Sequence, residues 1–275
     1  MADLELAAHE KPKRISPGIS FWEGVKIYVN LLIAPAALIL LWQLLANAGV
    51  LLEIVLPAPS KVIRALARIA KDGSLALDFG TSAVRVIKGY LWGIGIGLLL
   101  GFSCGLSKFM ERLIGPLVDT IRQIPMIAWI PLIIIWFGIG ETSKTIIIAK
   151  SVAVPVFVNT LQGIRGVPKE FVEVANVLEL KYAKLLWKII LPSALPSIFA
   201  GLRLAAGFAW MAVVTAEMLG GLTGLGYGLL RARDFLESDI LIALMVVIGI
   251  VGLVIDRLIR LLEFRVLHWR KAYNG

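Results

Sequence analysis

Five side chains carry most of the chemistry that this otherwise apolar chain could offer: Ser103, Arg122, Lys150, Asn159 and Glu217. Ser103 stands in G-F-S-C-G at 101–105, which matches the G-x-S-x-G nucleophile elbow of serine hydrolases. An elbow needs a strand–turn–helix setting and a base within hydrogen-bonding reach of the hydroxyl. Here the serine falls in a helix-length apolar run, and the histidines, His9 and His268, lie near the two ends, so hydrolysis is set aside. The same scarcity argues against a histidine metal site or proton relay, and the lone Cys104 permits no intrachain disulfide.

The remaining four residues sit at or inside apolar runs, where an ionisable group is a functional hypothesis by default. Lys150 and Glu217 have two readings, lining or gating a path through the membrane, or joining helices by an ion pair. Asn159 reads as a hydrogen-bonding partner of another helix. Arg122 reads as a basic anchor reaching the headgroups from a span end, with attraction of an anion as its functional alternative. It opens R-Q-I-P-M-I-A-W-I-P, whose Pro125 and Pro131 each free a carbonyl from the helical ladder. In lipid such breaks are tolerated where neighbours or a water-lined cavity satisfy the backbone, so this stretch is a candidate wall of a pathway.

The elements that must position these groups are transmembrane helices. Hydrophobic residues make up 59% of the chain and charged ones 17%, which excludes a soluble globular domain. About six runs, near 28–50, 88–107, 122–140, 142–163, 194–218 and 237–262, approach the roughly 20 residues that cross a hydrocarbon core. Their length and lack of alternation predict an all-α polytopic membrane protein rather than a barrel. Residues 1–27, with Glu10, Lys11, Lys13 and Arg14, read as an uncleaved cytoplasmic tail, and 264–275 as a second one.

Lys108, Arg112, Arg165, Lys169, Lys181, Lys184 and Lys188 then fall inside, as do Arg257, Arg260 and Arg265. Lys61, Arg64, Arg68, Lys71, Arg85 and Lys88 fall in an outside connection and conflict with the rule. L-P-A-P-S-K-V followed by an amphipathic run predicts a short interfacial helix capped by Ser60, so residues 28–77 read as a first span plus that helix. Gly89, Gly93, Gly97, Gly101 and Gly105 recur every fourth residue and predict a smooth stripe for close helix packing.

Within the unit 78–263, the segment 164–193 is longer than a connection requires and is predicted to be cytoplasmic. Pro168 opens a helix with Phe171, Val174 and Leu178 on one face; Leu185, Leu186 and Ile189 mark a second short helix, which ends at Leu191 and Pro192 where the next span begins.

At these residues the chain resembles the inner-membrane permease subunits of ATP-binding-cassette importers. Their cytoplasmic signature is Glu-Ala-Ala, three residues, Gly, nine residues, Ile, one residue, Leu-Pro. Glu173, Ala175, Ile189, Leu191 and Pro192 stand in register, with Val174 at the second position and Glu179 at the glycine. A left-handed turn there would cost a non-glycine residue about 1 kcal/mol. L-P-A-P-S-K-V at 56–62 and the stretches 122–144, 191–210 and 215–230 look like the sulfonate, taurine and nitrate group.

The resemblance implies a type I importer transmembrane domain in the bacterial inner membrane, paired with a second copy of itself. It further implies two separate ATPases that bind ATP and Mg, and an extracytoplasmic binding protein that delivers a small anion. The coupling helix then maps onto Phe171, Glu173, Val174, Ala175, Val177, Leu178 and Glu179, with Ile189, Leu191 and Pro192 as its frame. The chain has no G-x-x-x-x-G-K-[ST] phosphate loop, so an external ATPase is required; no cofactor of its own and no nucleic-acid partner are expected. An ion-coupled secondary transporter is the competing class, and it would show coupling carboxylates near midplane.

Overall fold

The computed structural model describes residues 21–267; the tail charges, His9, His268 and Trp269 lie outside the described residues. All regular elements among those residues are helical: α1 (Phe21–Asn47), α2 (Pro59–Lys71), α3 (Ser74–Leu106), α4 (Lys108–Gln123), α5 (Met126–Phe137), α6 (Glu141–Arg165), α7 (Lys169–Val177), α8 (Tyr182–Leu185), α9 (Leu191–Gly220), α10 (Leu225–Asp234) and α11 (Ser238–Val266). Among the described residues four helical stretches are long and apolar enough to cross a membrane: α3, α6, the continuous path Tyr182–Gly220, and α11. The pair α4 and α5 makes a fifth span if counted together, and Ile33–Asn47 of α1 is a shorter apolar helix.

The span over 122–140, expected to be interrupted at Pro125 and Pro131, is broken at the first of them, where α4 and α5 meet at 102°. Ile124 has φ −81° and ψ 116°, the extended region into which a following proline pushes its neighbour. Pro125, which has no N–H to leave unpaired, then caps α5. The expected boundary near residue 88 is also displaced. Asp72 and Gly73 make the turn, with Gly73 at φ 80° and Ser74 N–H and Oγ both donating to Asp72 Oδ1. Helix α3 starts at once, so Arg85 and Lys88 belong to a spanning helix and not to a connection, and the 77/78 boundary falls inside it. Likewise the 263/264 boundary falls inside α11.

Helix α2 starts after Ala58 with Pro59 in its first turn, and Ser60 makes no side-chain cap. Its Val62, Ala65 and Ile69 are buried, the first two against Ala243 of α11. Two of its cations are matched by carboxylates, Lys61 by Glu53 and Arg68 by Asp239 at 3.1 Å.

The centre of the bundle is α6, gripped between α3 and α9. All five stripe glycines face α6: a Cβ on Gly89 would lie 2.5 Å from Ile148, on Gly97 2.7 Å from the Ala153 carbonyl oxygen, and on Gly101 2.6 Å from Thr160 Cβ. On the other side Gly201 of α9 packs against Asn159, where a Cβ would be 2.6 Å from its Cβ. This is the small-residue packing by which helices associate in lipid, where no solvent drives them together.

Leu191 and Pro192 do not end a helix, as was expected of them. Residues Leu186–Ile190 form a π-helical turn, with Leu191 N–H bonded to Leu186 C=O, and α8 runs through it into α9. The wider turn carries the helix past a residue whose ring would collide with the carbonyl four residues earlier.

Candidate functional site: the two ends of the bundle

At one end, Ile164, Ile190, Ala194 and Ile198 form a small core with Phe102, Leu106, Val167, Leu185 and Leu186 packed on it. This core seats the segment between α6 and α9. Arg165 and Glu111 form an ion pair beside it. Ala175 of α7 is buried, whereas Phe171, Val174, Val177 and Leu178 are exposed, Val177 at 82%. A nine-residue helix thus stands with one small side chain inward and an apolar face outward. Glu173 is exposed, Ile189, Leu191 and Pro192 are half-buried, and Ile190 between them is buried.

The end of α7 answers the question posed by Glu179. Its φ is +49°, so the position keeps a left-handed backbone without a glycine. Leu180 N–H bonds Ala175 C=O and Glu179 N–H bonds Asn176 C=O, each at 3.0 Å, which is the Schellman pattern of a helix C-terminus. Glu179→Gly should therefore stabilise the folded chain by about 1 kcal/mol, read as a raised thermal midpoint in detergent. A lowered midpoint would show that the glutamate side chain is itself in use.

At the opposite end lies a buried ionic knot. Glu217, in the last turn of α9, is 0% exposed, and Arg85 of α3 is 4% exposed. Arg85 Nη1 donates to Glu217 Oε1 at 2.8 Å and to the Thr223 carbonyl at 2.7 Å. Its Nε and Nη2 grip both oxygens of Glu141, the first residue of α6, at 2.8 and 2.6 Å, and Lys144 Nζ adds a third contact to Glu141 at 3.0 Å. Glu217 also accepts from Ser82 Oγ at 2.8 Å and from Gly226 N–H at 2.9 Å, while Asp78 accepts from Gly224 N–H at 2.9 Å. One guanidinium thus ties α3, α6, α9 and the loop that leads to α10. Sequence reasoning placed Arg85 in a connection and missed Ser82, Asp78, Glu141 and Thr223. The signal was present: Arg85 stands four residues before Gly89, on the continuation of the glycine stripe and so on the face that meets α6.

The other path candidates are dispersed. Arg122 pairs with Asp119 one turn earlier at 3.0 Å, and both side chains are exposed. Asn159 does not bond a neighbouring helix as expected: its Nδ2 donates to Pro155 C=O in α6 itself at 2.9 Å, and Gly201 of α9 packs against its Cβ. Pro131 lies inside α5 without breaking it. Lys150 of α6 is half-buried, its Nζ 4.7 Å from the centre of the Trp129 ring.

Residues 93–268 match the family described as the binding-protein-dependent transport system inner membrane component. The chain belongs to that family. It is the permease subunit of an ATP-driven ABC importer, not an enzyme; ATP is handled by a separate ATPase subunit. The permease is 38% identical over 271 residues to the putative aliphatic sulfonates transport permease protein SsuC of Bacillus subtilis (strain 168), covering 98% of each chain. It is 33% identical to the nitrate import permease protein NrtB of Synechocystis sp. (strain ATCC 27184 / PCC 6803 / Kazusa), over 92% of this chain and 94% of that one. With the taurine transport system permease protein TauC of Escherichia coli (strain K12) it shares 32% identity, over 85% and 87% of the two. A crystal structure of an amino acid ABC transporter with histidines shares its fold, with a TM-score of 0.60 and 18% identity over 73% of this chain and 97% of that one. In this permease Ser103 Oγ donates to Leu99 C=O of its own helix at 2.7 Å, as a serine does on an ordinary spanning helix.

Proposed function

We propose that two copies of this permease form the translocation path for a small anion, an aliphatic sulfonate first and taurine or nitrate next. Two ATPase subunits bind at α7, and a binding protein delivers substrate at the knot end. The observation that carries this reading is the outward apolar face of Phe171, Val174, Val177 and Leu178, presented by a helix anchored through Ala175. Such a face is suited to insert into a cleft on a partner, with Glu173 beside it as a polar contact.

The α7 end is then cytoplasmic, which puts Arg165, Lys169, Lys181, Lys184 and Lys188 inside, and both chain termini with them. The matched pairs Lys61–Glu53 and Arg68–Asp239 soften the conflicting charge at the other end. The substrate order follows the sulfonate, taurine and nitrate permeases to which the chain is similar. On this reading segment 164–193 is the coupling loop, and ATP with Mg belongs to the partner.

The test is native mass spectrometry of the complex isolated through a tag on this chain. Wild type should give two permeases with two ATPases. Leu178→Asp puts a charge into the docking face and should release the ATPases while the permease still inserts; an intact complex would remove α7 from the interface.

A further inference from the structure

Lys150 is an intramembrane cation that the bundle does not neutralise. It stands nine residues into α6, roughly 14 Å along a helix that must cross about 30 Å of hydrocarbon. Among the described residues its Nζ has no carboxylate within ion-pairing distance and no hydrogen-bond partner. Its recorded contact is the face of Trp129, 4.7 Å from the ring centre. A second polar group at that ring is also unmatched: the Trp129 indole N–H is buried with no acceptor. The ammonium thus has no anion beside it, and a charge drawn partly out of water without a counter-charge is costly.

Lys150 lines a cavity of about 310 Å³ whose other walls are apolar, Ile96 and Leu100 of α3, Val118 and Ile121 of α4, and Phe157 of α6 among them. Trp129 and Ile121 flank the 102° break at Pro125. Interrupted helices at membrane depth recur where transporters hold their substrates.

We propose that Lys150 is the anion-binding group of a site inside the permease, with the Trp129 ring holding its ammonium in place and the cavity walls taking an alkyl tail. The inference rests on the anionic substrate proposed above and narrows it. An alkanesulfonate has a charged head for the Lys150 ammonium and a tail for Ile96, Leu100 and Val118. Taurine would bring its ammonium against those same apolar walls, and nitrate has no tail to fill them.

The test uses the full transporter with its binding protein in liposomes and follows uptake of labelled ethanesulfonate, taurine and nitrate. Lys150→Met should lower ethanesulfonate uptake about tenfold or more, which is what loss of one charge-assisted hydrogen bond is worth. Lys150→Arg should restore most of it, and Trp129→Phe, which leaves a weaker aromatic face under the ammonium, should give a smaller fall. The variants are checked for the two-permease, two-ATPase assembly by mass spectrometry. Wild-type uptake of ethanesulfonate that Lys150→Met leaves unchanged overturns the site alone. Loss of assembly in Lys150→Met, or failure of arginine to rescue, makes the lysine structural and overturns it as well. A wild type that carries taurine or nitrate in preference to ethanesulfonate overturns the alkyl slot. Uptake of none of the three by wild type overturns the substrate reading itself, and the site with it.

Discussion

Glu217→Ala is expected to destabilise the folded permease by about 3–5 kcal/mol, the cost of leaving one partner of a buried ion pair uncompensated. For a chain of 275 residues that lowers the thermal midpoint by roughly 5–10 °C, read on purified protein in detergent. The size of the effect follows from how much depends on one carboxylate. Removing it leaves Arg85 Nη1 with only the Thr223 carbonyl, and strips the acceptor from Ser82 Oγ and Gly226 N–H in a place from which water is excluded. Glu141 still neutralises part of the guanidinium, which keeps the loss from being larger. Glu217→Gln, which retains an oxygen for Gly226 N–H while losing the charge, should fall between wild type and alanine. A wild-type midpoint for Glu217→Ala would mean that the knot opens to water and contributes little.

The second large effect is a single methyl group on α3. A Cβ on Gly93 would lie 2.6 Å from the Ala149 carbonyl oxygen and 2.6 Å from Val152 Cγ1, both on the facing helix. One of the two contacts is backbone, so no side-chain rotation relieves it and α3 must move off α6. Gly93→Ala should therefore destabilise by about 1–3 kcal/mol, the usual cost of overpacking. Gly95, two residues on, meets nothing within 4 Å. Gly95→Ala should be neutral or up to about 1 kcal/mol stabilising from helix propensity alone. Both changes make the same local gain, so the difference between their thermal midpoints isolates the interhelical contact. Equal midpoints would show that the stripe does not hold the bundle.

The stripe also shows how far the sequence could be read. A four-residue register of glycine is a local property, visible without knowing what it meets, and the structure supplies α6 as the partner. The broken span over 122–140 was half legible. Pro125 and Pro131 look alike in the sequence, yet the chain bends at the first, where Ile124 leaves the helical region, and continues through the second. Glu179 was legible as a departure from a glycine signature, but whether the backbone would still turn left-handed there was open until its φ was known. Segment 164–193 stood out because it is charged and helical in a lipid-soluble chain, although its second helix runs unbroken into α9 through a π turn.

By itself the sequence determined the all-helical membrane class, the close-packing face of α3, the position of the signature segment that became α7 and the lack of a phosphate loop of its own. These follow from hydropathy summed over about 20 residues and from periodicity along a single helix, both of which are set by neighbours in the chain. Only the tertiary structure decided that Arg85 meets Glu217, 132 residues away, and Glu141, 56 away, or that Lys150 lies over Trp129 with no carboxylate near it. Such meetings depend on the rotation and register of one helix against another. A shift of one residue turns a side chain by about 100° around the helix axis, and nothing in the local pattern records which way it will face.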